Sequence, residues 1–483
     1  MTMRPNTRIG DKVVRRPRVR EVSAFVGQFR AQRHPSRLIN SFTLLFGSFG
    51  GLIIAGGLLL LLPAANVFGT IPPLEVAFFT ATSAVTVTGL TVVNTADYWT
   101  PLGHGIIFSL MLIGGLGFMT LATFLLILIG QRITLPERII MRDAVGVDRL
   151  GGLVRVVISI VLFVIAIYII GTLVIWWRLL QYPDLFTAAG ALWQAAFLSV
   201  SSFNNAGFSI LPNSRSVEIF AGDFGFLTFM AMLIILGSIG WTVLVDLYKR
   251  HQRFSRWALD TKMVITTSLF LWALGGGIFF LSEFNNPNTI GNSNLFEQIF
   301  YSLFHSVSGR TAGFATVDFN TTNELAILFF PFLMFIGGAS GSIAGGIKVA
   351  TFAIVVAVVI SSLKGRSQAE AFGREIPHFQ VHRALTVAIL GLTLIVIVSL
   401  ILTQTEKNIP DISFIRLAFE TVSAFGTTGL STGVTPLLSL SGKILFILAM
   451  FIGRLGPIML ALALTTKDDT GGYRFAQERV KIG

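Results

Sequence analysis

Apolar residues run in long blocks along this chain, at about 38–62, 102–129, 152–180, 219–245, 263–282, 325–362, 384–403 and 441–466. A helix needs roughly 20 apolar residues to cross the hydrocarbon of a bilayer, so the pattern predicts eight transmembrane helices. Shorter semi-polar stretches, near 72–95, 186–212, 294–318 and 411–434, separate the first block from the second, the third from the fourth, the fifth from the sixth and the seventh from the eighth. They are too short and too polar to cross. The other connectors, 130–151, 246–262 and 363–383, are rich in charge.

Aligning the four semi-polar stretches exposes a repeat: TATSAVTVTGL at 80–90, LSVSSFNNAGF at 198–208, FHSVSGRTAGF at 304–314 and ETVSAFGTTGL at 420–430. Each reaches a glycine, Gly89, Gly207, Gly313 or Gly429, and then Leu or Phe. About 25 residues on, GxxG follows each time, at Gly114 and Gly117, Gly237 and Gly240, Gly338 and Gly341, and Gly453 and Gly456. The expected architecture is an all-α integral membrane protein with eight transmembrane helices in four pseudo-symmetric helix/pore-loop/helix repeats around a central pore. Its divisions are a basic cytoplasmic arm over 1–37, repeats over 38–129, 152–245, 263–362 and 384–466, and a cytoplasmic tail over 467–483. GxxG also serves as a plain packing motif between membrane helices, and that reading stands beside a functional one.

Composition agrees with lipid as the main solvent. Only 12% of the 483 residues are charged and 53% are hydrophobic, against roughly 25% charged in soluble domains. The net charge of +12 is resolved by placement. With both ends cytoplasmic, the inner segments hold 28 of the 36 Lys and Arg, ten of them within residues 1–37, as the positive-inside rule requires. The basic arm then reads as a segment lying on anionic lipid, and no nucleic-acid partner is needed. The start carries no apolar run of the signal-peptide kind. The absence of cysteine excludes disulfides and thiolate chemistry.

Irregular backbone at membrane depth survives only where it is buried in protein or lines a cavity. Four such segments turned toward one axis form a ring of carbonyl oxygens that can replace the hydration shell of a monovalent cation. The candidate lining is Thr86, Val87, Thr88 and Gly89; Asn204, Asn205, Ala206 and Gly207; Arg310, Thr311, Ala312 and Gly313; and Gly426, Thr427, Thr428 and Gly429. The short helix before each points its negative C-terminal end inward, which favours a cation. Glu75, Asp97, Asp184, Asp318, Glu324, Glu406 and Asp411 give the outer loops an acidic excess that concentrates cations at the mouth. Taken singly, each of these acids also reads as a solvated loop residue. Arg310, within a filter segment, is expected to turn away into an ion pair with a carboxylate.

The block 325–362 is 38 residues long and as a straight helix would measure roughly 57 Å, nearly twice the hydrocarbon thickness. It must break, and Gly337, Gly338, Ser340, Gly341, Ser342, Gly345 and Gly346 mark the place. Below the third filter segment, a broken stretch over 338–346 reads as a gate; a packing kink is the alternative. Lys348 and Arg454 are the basic residues well inside the spans, and such charges are functional hypotheses by default. Arg454 can face the cavity, repelling cations or holding carbonyls of the Gly-rich loop. Lys348 can act there too, or extend toward the cytoplasmic side.

The four loops, RTAGF at 310–314, GGASGSIAGGIK at 337–348 and GRLGP at 453–457 together resemble the Trk/Ktr/HKT superfamily of potassium transporters, from residue 38 nearly to the end. With only the basic arm before the first repeat, the chain is most similar to the Ktr-type (KtrB-like) membrane subunit. The resemblance implies K+ as substrate, contacted at Val87 and Thr88, Asn205 and Ala206, Thr311 and Ala312, Thr427 and Thr428 and the glycine after each, with the intramembrane loop obstructing the pore. All four filter glycines go with potassium selectivity in this superfamily; a Ser in place of the first goes with sodium-permeable plant members. The resemblance further implies a homodimer in the cell membrane, a cytosolic KtrA-type ring of nucleotide-binding (ATP/ADP) regulatory subunits, and Na+ as activator or coupling ion. It implies no cofactor bound by this chain and no metal other than potassium at the filter.

Enzymatic signatures are missing. There is no GxSxG or phosphate-binding GK[ST]. The six histidines, His34, His104, His251, His305, His378 and His382, form no metal motif and are expected in loops. The rival to a cation pore is a secondary carrier of another solute, but carriers place acids or unwound segments at the bilayer midplane, and these spans carry no midplane carboxylate.

Overall fold

The computed structural model describes residues 41–117, 153–212, 216–250, 253–407, 409 and 412–456. The basic arm over 1–37, the connector 130–151 with the end of the second block, the tail over 467–483, Asp411 and Pro457 lie outside the described residues.

One succession of elements occurs four times. The first comprises α1 (Ser41–Leu60), a short α2 (Leu74–Val85) and α3 (Pro101–Leu116). The second has α4 (Leu153–Leu179), α5 (Ala188–Phe203), α6 (Phe224–Ile239) and α7 (Trp241–Arg250). The third has α8 (Leu259–Glu283), α9 (Leu295–Thr311), α10 (Glu324–Phe335) and α11 (Val349–Leu363). A two-residue hairpin, β1 (Glu370–Ala371) with β2 (Arg374–Glu375), leads into the fourth: α12 (His378–Thr405), α13 (Phe414–Gly426) and α14 (Leu440–Leu455).

The first helix of each later repeat is long and apolar. Buried residues make up only 28% of the apolar window in α4 and α12 and 33% in α8. The remainder exposes Leu162, Ile169, Ile170 and Leu173 on α4 and Ile389, Leu392, Ile397 and Leu400 on α12. An apolar face of that length is stable only against lipid. Inside this shell the short helices are buried mainly toward their C-terminal ends. Three start at a side-chain cap: Thr187 accepts from Gly190 N–H, Ser413 from Arg416 N–H, and Asn294 forms a reciprocal capping box with Glu297. Pro73 opens α2.

The second repeat departs from the expectation of straight spans interrupted only in the sixth, and the third helices share a feature that accounts for it. All four reach a glycine in the left-handed region, Gly117, Gly240, Gly341 and Gly456 at φ 74°, 82°, 72° and 87°. At Gly240 the block 219–245 bends by 99° between α6 and α7, so it is not one straight helix. The reason lies in the two glycines of GxxG. Any Cβ on the first, at Gly114, Gly237 or Gly453, would sit within 2.0 Å of the carbonyl oxygen ending the short helix (Val85, Phe203, Phe425). The motif packs through its first glycine and turns the chain through its second.

Buried acids tie the outer ends of the repeats. Glu283, ending α8, accepts from Asn323 N–H at 2.9 Å, and Glu406, after α12, accepts from Ser439 N–H at 2.9 Å. In the second repeat Asp223 caps α6 and pairs with Arg178 of α4. Glu406 is therefore no solvated mouth residue; at 3% exposure it holds backbone.

Candidate permeation site

The short helices deliver their C-terminal ends to one place. In three of them the chain leaves through a non-glycine residue in the left-handed region, Val87 (φ 50°), Asn205 (φ 55°) and Thr427 (φ 48°). The next residue's N–H then bonds back to the helix, Thr88 to the Ser83 carbonyl (2.8 Å), Ala206 to Ser201 (2.8 Å) and Thr428 to Ser423 (3.0 Å). Three such strained residues at equivalent positions mark a backbone held in place by its surroundings. The third repeat differs. There α9 stays helical through Thr311, and the Ser308 carbonyl accepts from both Ala312 and Gly313 N–H.

The four glycines form a closed ring. A Cβ on Gly89 would lie 2.3 Å from the Ala206 carbonyl oxygen, on Gly207 2.5 Å from that of Ala312, on Gly313 2.2 Å from that of Thr428, and on Gly429 2.2 Å from that of Thr88. Each glycine thus abuts the carbonyl just before the next repeat's glycine, and the fourth returns to the first. Their φ values of 84°, 71°, 74° and 89° disfavour a side chain on a second count. Of the sixteen residues read as filter lining, these glycines alone are partly exposed. All four border one cavity of about 520 Å³. Several side chains of the lining bond within it: Thr86 Oγ1 lies 2.7 Å from Thr88 Oγ1, Thr311 donates to Asn205 Oδ1 (3.3 Å), and Thr428 donates to the Arg310 carbonyl (3.4 Å). Of the seven acids read at the mouth, Asp318 borders this cavity, joined by Glu218; Glu75, Asp97, Asp184 and Glu324 do not line it.

Beneath the ring, the segment 337–348 between α10 and α11 is a pinned loop. Its neck is closed by Gly337 N–H to the Ile347 carbonyl (2.8 Å), Ile347 N–H to Phe335 (3.1 Å) and Val349 N–H to Gly338 (3.0 Å). It reaches the second repeat through Ala339 N–H to the Ser238 carbonyl (2.8 Å) and Ile343 N–H to Gly237 (3.3 Å). Gly345 lies against the fourth filter segment, where a Cβ would be 2.2 Å from Thr427 Oγ1. Ser340 and Ser342 flank the Gly240 turn, Gly341 forms the exposed tip and Gly346 lies over Gly426. Arg454 of α14 crosses underneath, one guanidinium nitrogen donating to the Ile343 carbonyl and the other to the Gly114 carbonyl at 2.6 Å. Lys348 folds back onto the Ala344 carbonyl at 2.5 Å rather than extending toward the cytoplasm.

Arg310 corrects the expectation of a carboxylate partner. Its Nε and Nη2 donate to the backbone carbonyls of Ile336 (3.1 Å) and Gly337 (2.7 Å), and its guanidinium lies 5.5 Å from the Trp272 ring centroid. The break after α10 frees those carbonyls, and the arginine takes them. This seat holds the guanidinium between the neck of the 337–348 loop and Trp272 of α8. The histidines are not all loop residues either. His305 is buried in α9, stacked on Phe279 and accepting from Thr316 N–H (3.1 Å); His104 lies on α3, and His378 and His382 begin α12. His34 and His251 lie outside the described residues. No group of His, Asp or Glu able to hold a metal occurs among the described residues.

Sequence reading missed Glu420. Buried in α13, its carboxylate accepts from Ser431 Oγ (2.7 Å), Thr432 N–H (2.7 Å) and Thr435 Oγ1 (2.6 Å), bracing the chain as it leaves the fourth filter segment. The signal was present, since the equivalent positions are Thr80, Leu198 and Phe304.

A lipid-facing helical shell around four converging half-helices, joined by a ring of backbone carbonyls, is the construction of a cation-transporting membrane protein. The chain belongs to the TrkH family of cation transport proteins, whose model matches residues 59–470. It is 38% identical over 433 residues to the Ktr system potassium uptake protein B of Bacillus subtilis, covering 89% of this chain and 94% of that one. To the potassium/sodium uptake protein NtpJ of Enterococcus hirae it is 36% identical over 443 residues, 91% and 96% of the two chains. Its fold is similar to the crystal structure of the potassium transporter TrkH from Vibrio parahaemolyticus, with a TM-score of 0.68 over 92% of this chain and 90% of that one at 18% identity.

Proposed function

We propose that the chain is the ion-translocating membrane subunit of a potassium uptake system of the Ktr type. Potassium loses water at the outer cavity and passes the ring at Gly89, Gly207, Gly313 and Gly429, where backbone oxygens substitute for its hydration shell. The observation that carries this reading is the closed head-to-tail contact of the four glycines with the four preceding carbonyls. The 337–348 loop obstructs the path beneath, held by Arg454 and Arg310, and conduction requires its displacement. Eight crossings, with those of the second and third repeats broken at Gly240 and at 337–348, and both termini in the cytoplasm fit the 28 inner Lys and Arg.

The chain carries no nucleotide-binding motif, so control by ATP or ADP arrives through a cytosolic KtrA-type ring docked on the inner connectors of a homodimer. The relative named as a potassium/sodium uptake protein favours a second reading, in which Na+ also permeates or activates. Expression in a bacterial strain lacking its own potassium uptake, with and without a KtrA-type subunit, tests the proposal. Growth at low potassium that depends on this chain is the expected result; membrane-inserted protein that never supports growth refutes it.

A further inference from the structure

The filter segments are not anchored alike, and the difference lies at the third residue before each glycine: Thr86, Asn204, Arg310 and Gly426. Thr86 is bonded within its own loop, to Thr82 and Thr88, and Gly426 has no side chain. Asn204 is gripped from outside. Tyr168, in the middle of the lipid-facing helix α4, donates its hydroxyl to Asn204 Oδ1 at 2.7 Å. The Asn204 amide nitrogen in turn donates to the Met111 carbonyl of α3, in the first repeat, at 3.0 Å. Gly115 makes room: a Cβ there would sit 2.3 Å from the Asn204 side chain. The Tyr168 ring stands edge-on to Phe203, with 5.6 Å between centroids, and its main-chain carbonyl accepts from Ser199 Oγ at 3.1 Å.

Two residues beyond Asn204 is Ala206, whose carbonyl forms the ring contact with Gly89. We propose that Tyr168 is a positioning residue of the selectivity filter: through Asn204 it fixes the height and direction of the Ala206 carbonyl relative to the first repeat. A monovalent cation is recognised by the spacing of backbone dipoles, and short glycine-containing segments have little stiffness of their own. Positional precision must then come from the surrounding helices, and the Tyr168–Asn204–Met111 chain joins two repeats across the contact that closes the ring. Removing the hydroxyl leaves Asn204 Oδ1 buried without its donor and frees the segment to shift toward the geometry of a smaller ion.

This inference rests on the filter reading, and its test separates the two. The full-length chain is reconstituted in liposomes, and rubidium-86 uptake is measured against competing external K+ and Na+. The readout is the ratio of half-inhibiting Na+ to half-inhibiting K+. Tyr168→Phe keeps the ring packing and is expected to lower the ratio about three- to tenfold, the worth of one buried hydrogen bond, with maximal uptake within about twofold of wild type. Gly115→Ala, which displaces Asn204 from the other side without weakening the helix, is expected to do the same. A several-fold fall in maximal uptake with an unchanged ratio marks the hydroxyl as merely structural and overturns the inference. A selective wild type with both variants unchanged overturns it while leaving the filter reading standing. A wild type that does not distinguish K+ from Na+ overturns both.

Discussion

Arg454 offers a sharp test of the gate, because it fastens the 337–348 loop to a different repeat. Its guanidinium holds the Ile343 carbonyl at the loop and the Gly114 carbonyl of α3 together. Hydrogen bonds to a charged group contribute about 1.5–3 kcal/mol each. In Arg454→Gln one weaker bond survives, and the loop keeps its links to Ser238, Gly237 and its own neck. A net loss of about 1.5–3 kcal/mol from the closed arrangement is therefore the reasonable figure, a shift of about 10- to 150-fold in the loop equilibrium. If the loop is displaced about 1% of the time, a tenfold shift raises that share to about 9%. The assay is rubidium-86 flux into liposomes containing the chain alone, without regulatory subunit. Basal flux is expected to rise about tenfold, with the preference for K+ over Na+ unchanged because the ring is untouched. Arg454→Lys keeps the charge but cannot bridge two carbonyls, so its flux falls between. Flux within twofold of wild type in both variants would refute the fastening role.

Three further outcomes follow from the same geometry. Gly345→Ala places a methyl 2.2 Å from Thr427 Oγ1 and pushes the loop from the filter, so basal flux rises; unchanged flux contradicts the contact. Glu420→Ala leaves donors at Ser431, Thr432 and Thr435 unpaired and is expected to cost about 2–4 kcal/mol, read as a lower unfolding temperature of the purified protein, whereas Glu420→Gln loses less. Gly240→Ala forces a side chain into a φ of 82° against the Ser340 carbonyl, 2.9 Å from the new Cβ, and is expected to alter gating without altering ion preference in the same flux assay.

How far the sequence could be read differed with the kind of contact. The four ring glycines were legible because a backbone requirement repeats at a fixed offset, and four copies of one constraint stand out from composition. The broken sixth block was legible from its length. The bend at Gly240 was not: 219–245 reads as one apolar run, and GxxG looks alike whether its second glycine packs or turns. Arg310 was misjudged because its partners are backbone carbonyls released by the break after α10, which no residue type announces. Glu406 was misplaced for a similar reason, since an acid in an outer loop serves equally as a solvated charge or as the acceptor for a helix start. Tyr168 lies in an apolar helix with nothing local to mark it; only the fold brings it to Asn204, 36 residues on.

The central claim is that the glycine ring sets ion preference. It is tested most directly by the ratio of Na+ to K+ needed to inhibit rubidium-86 uptake by the reconstituted chain, before and after Gly89→Ser. The substituted Cβ would meet the Ala206 carbonyl at 2.3 Å, so one quarter of the ring must move. The account predicts a wild type inhibited far more readily by K+ and a variant whose preference shifts toward Na+ while uptake persists. A variant with wild-type preference and intact uptake would show that the ring is not the selecting element.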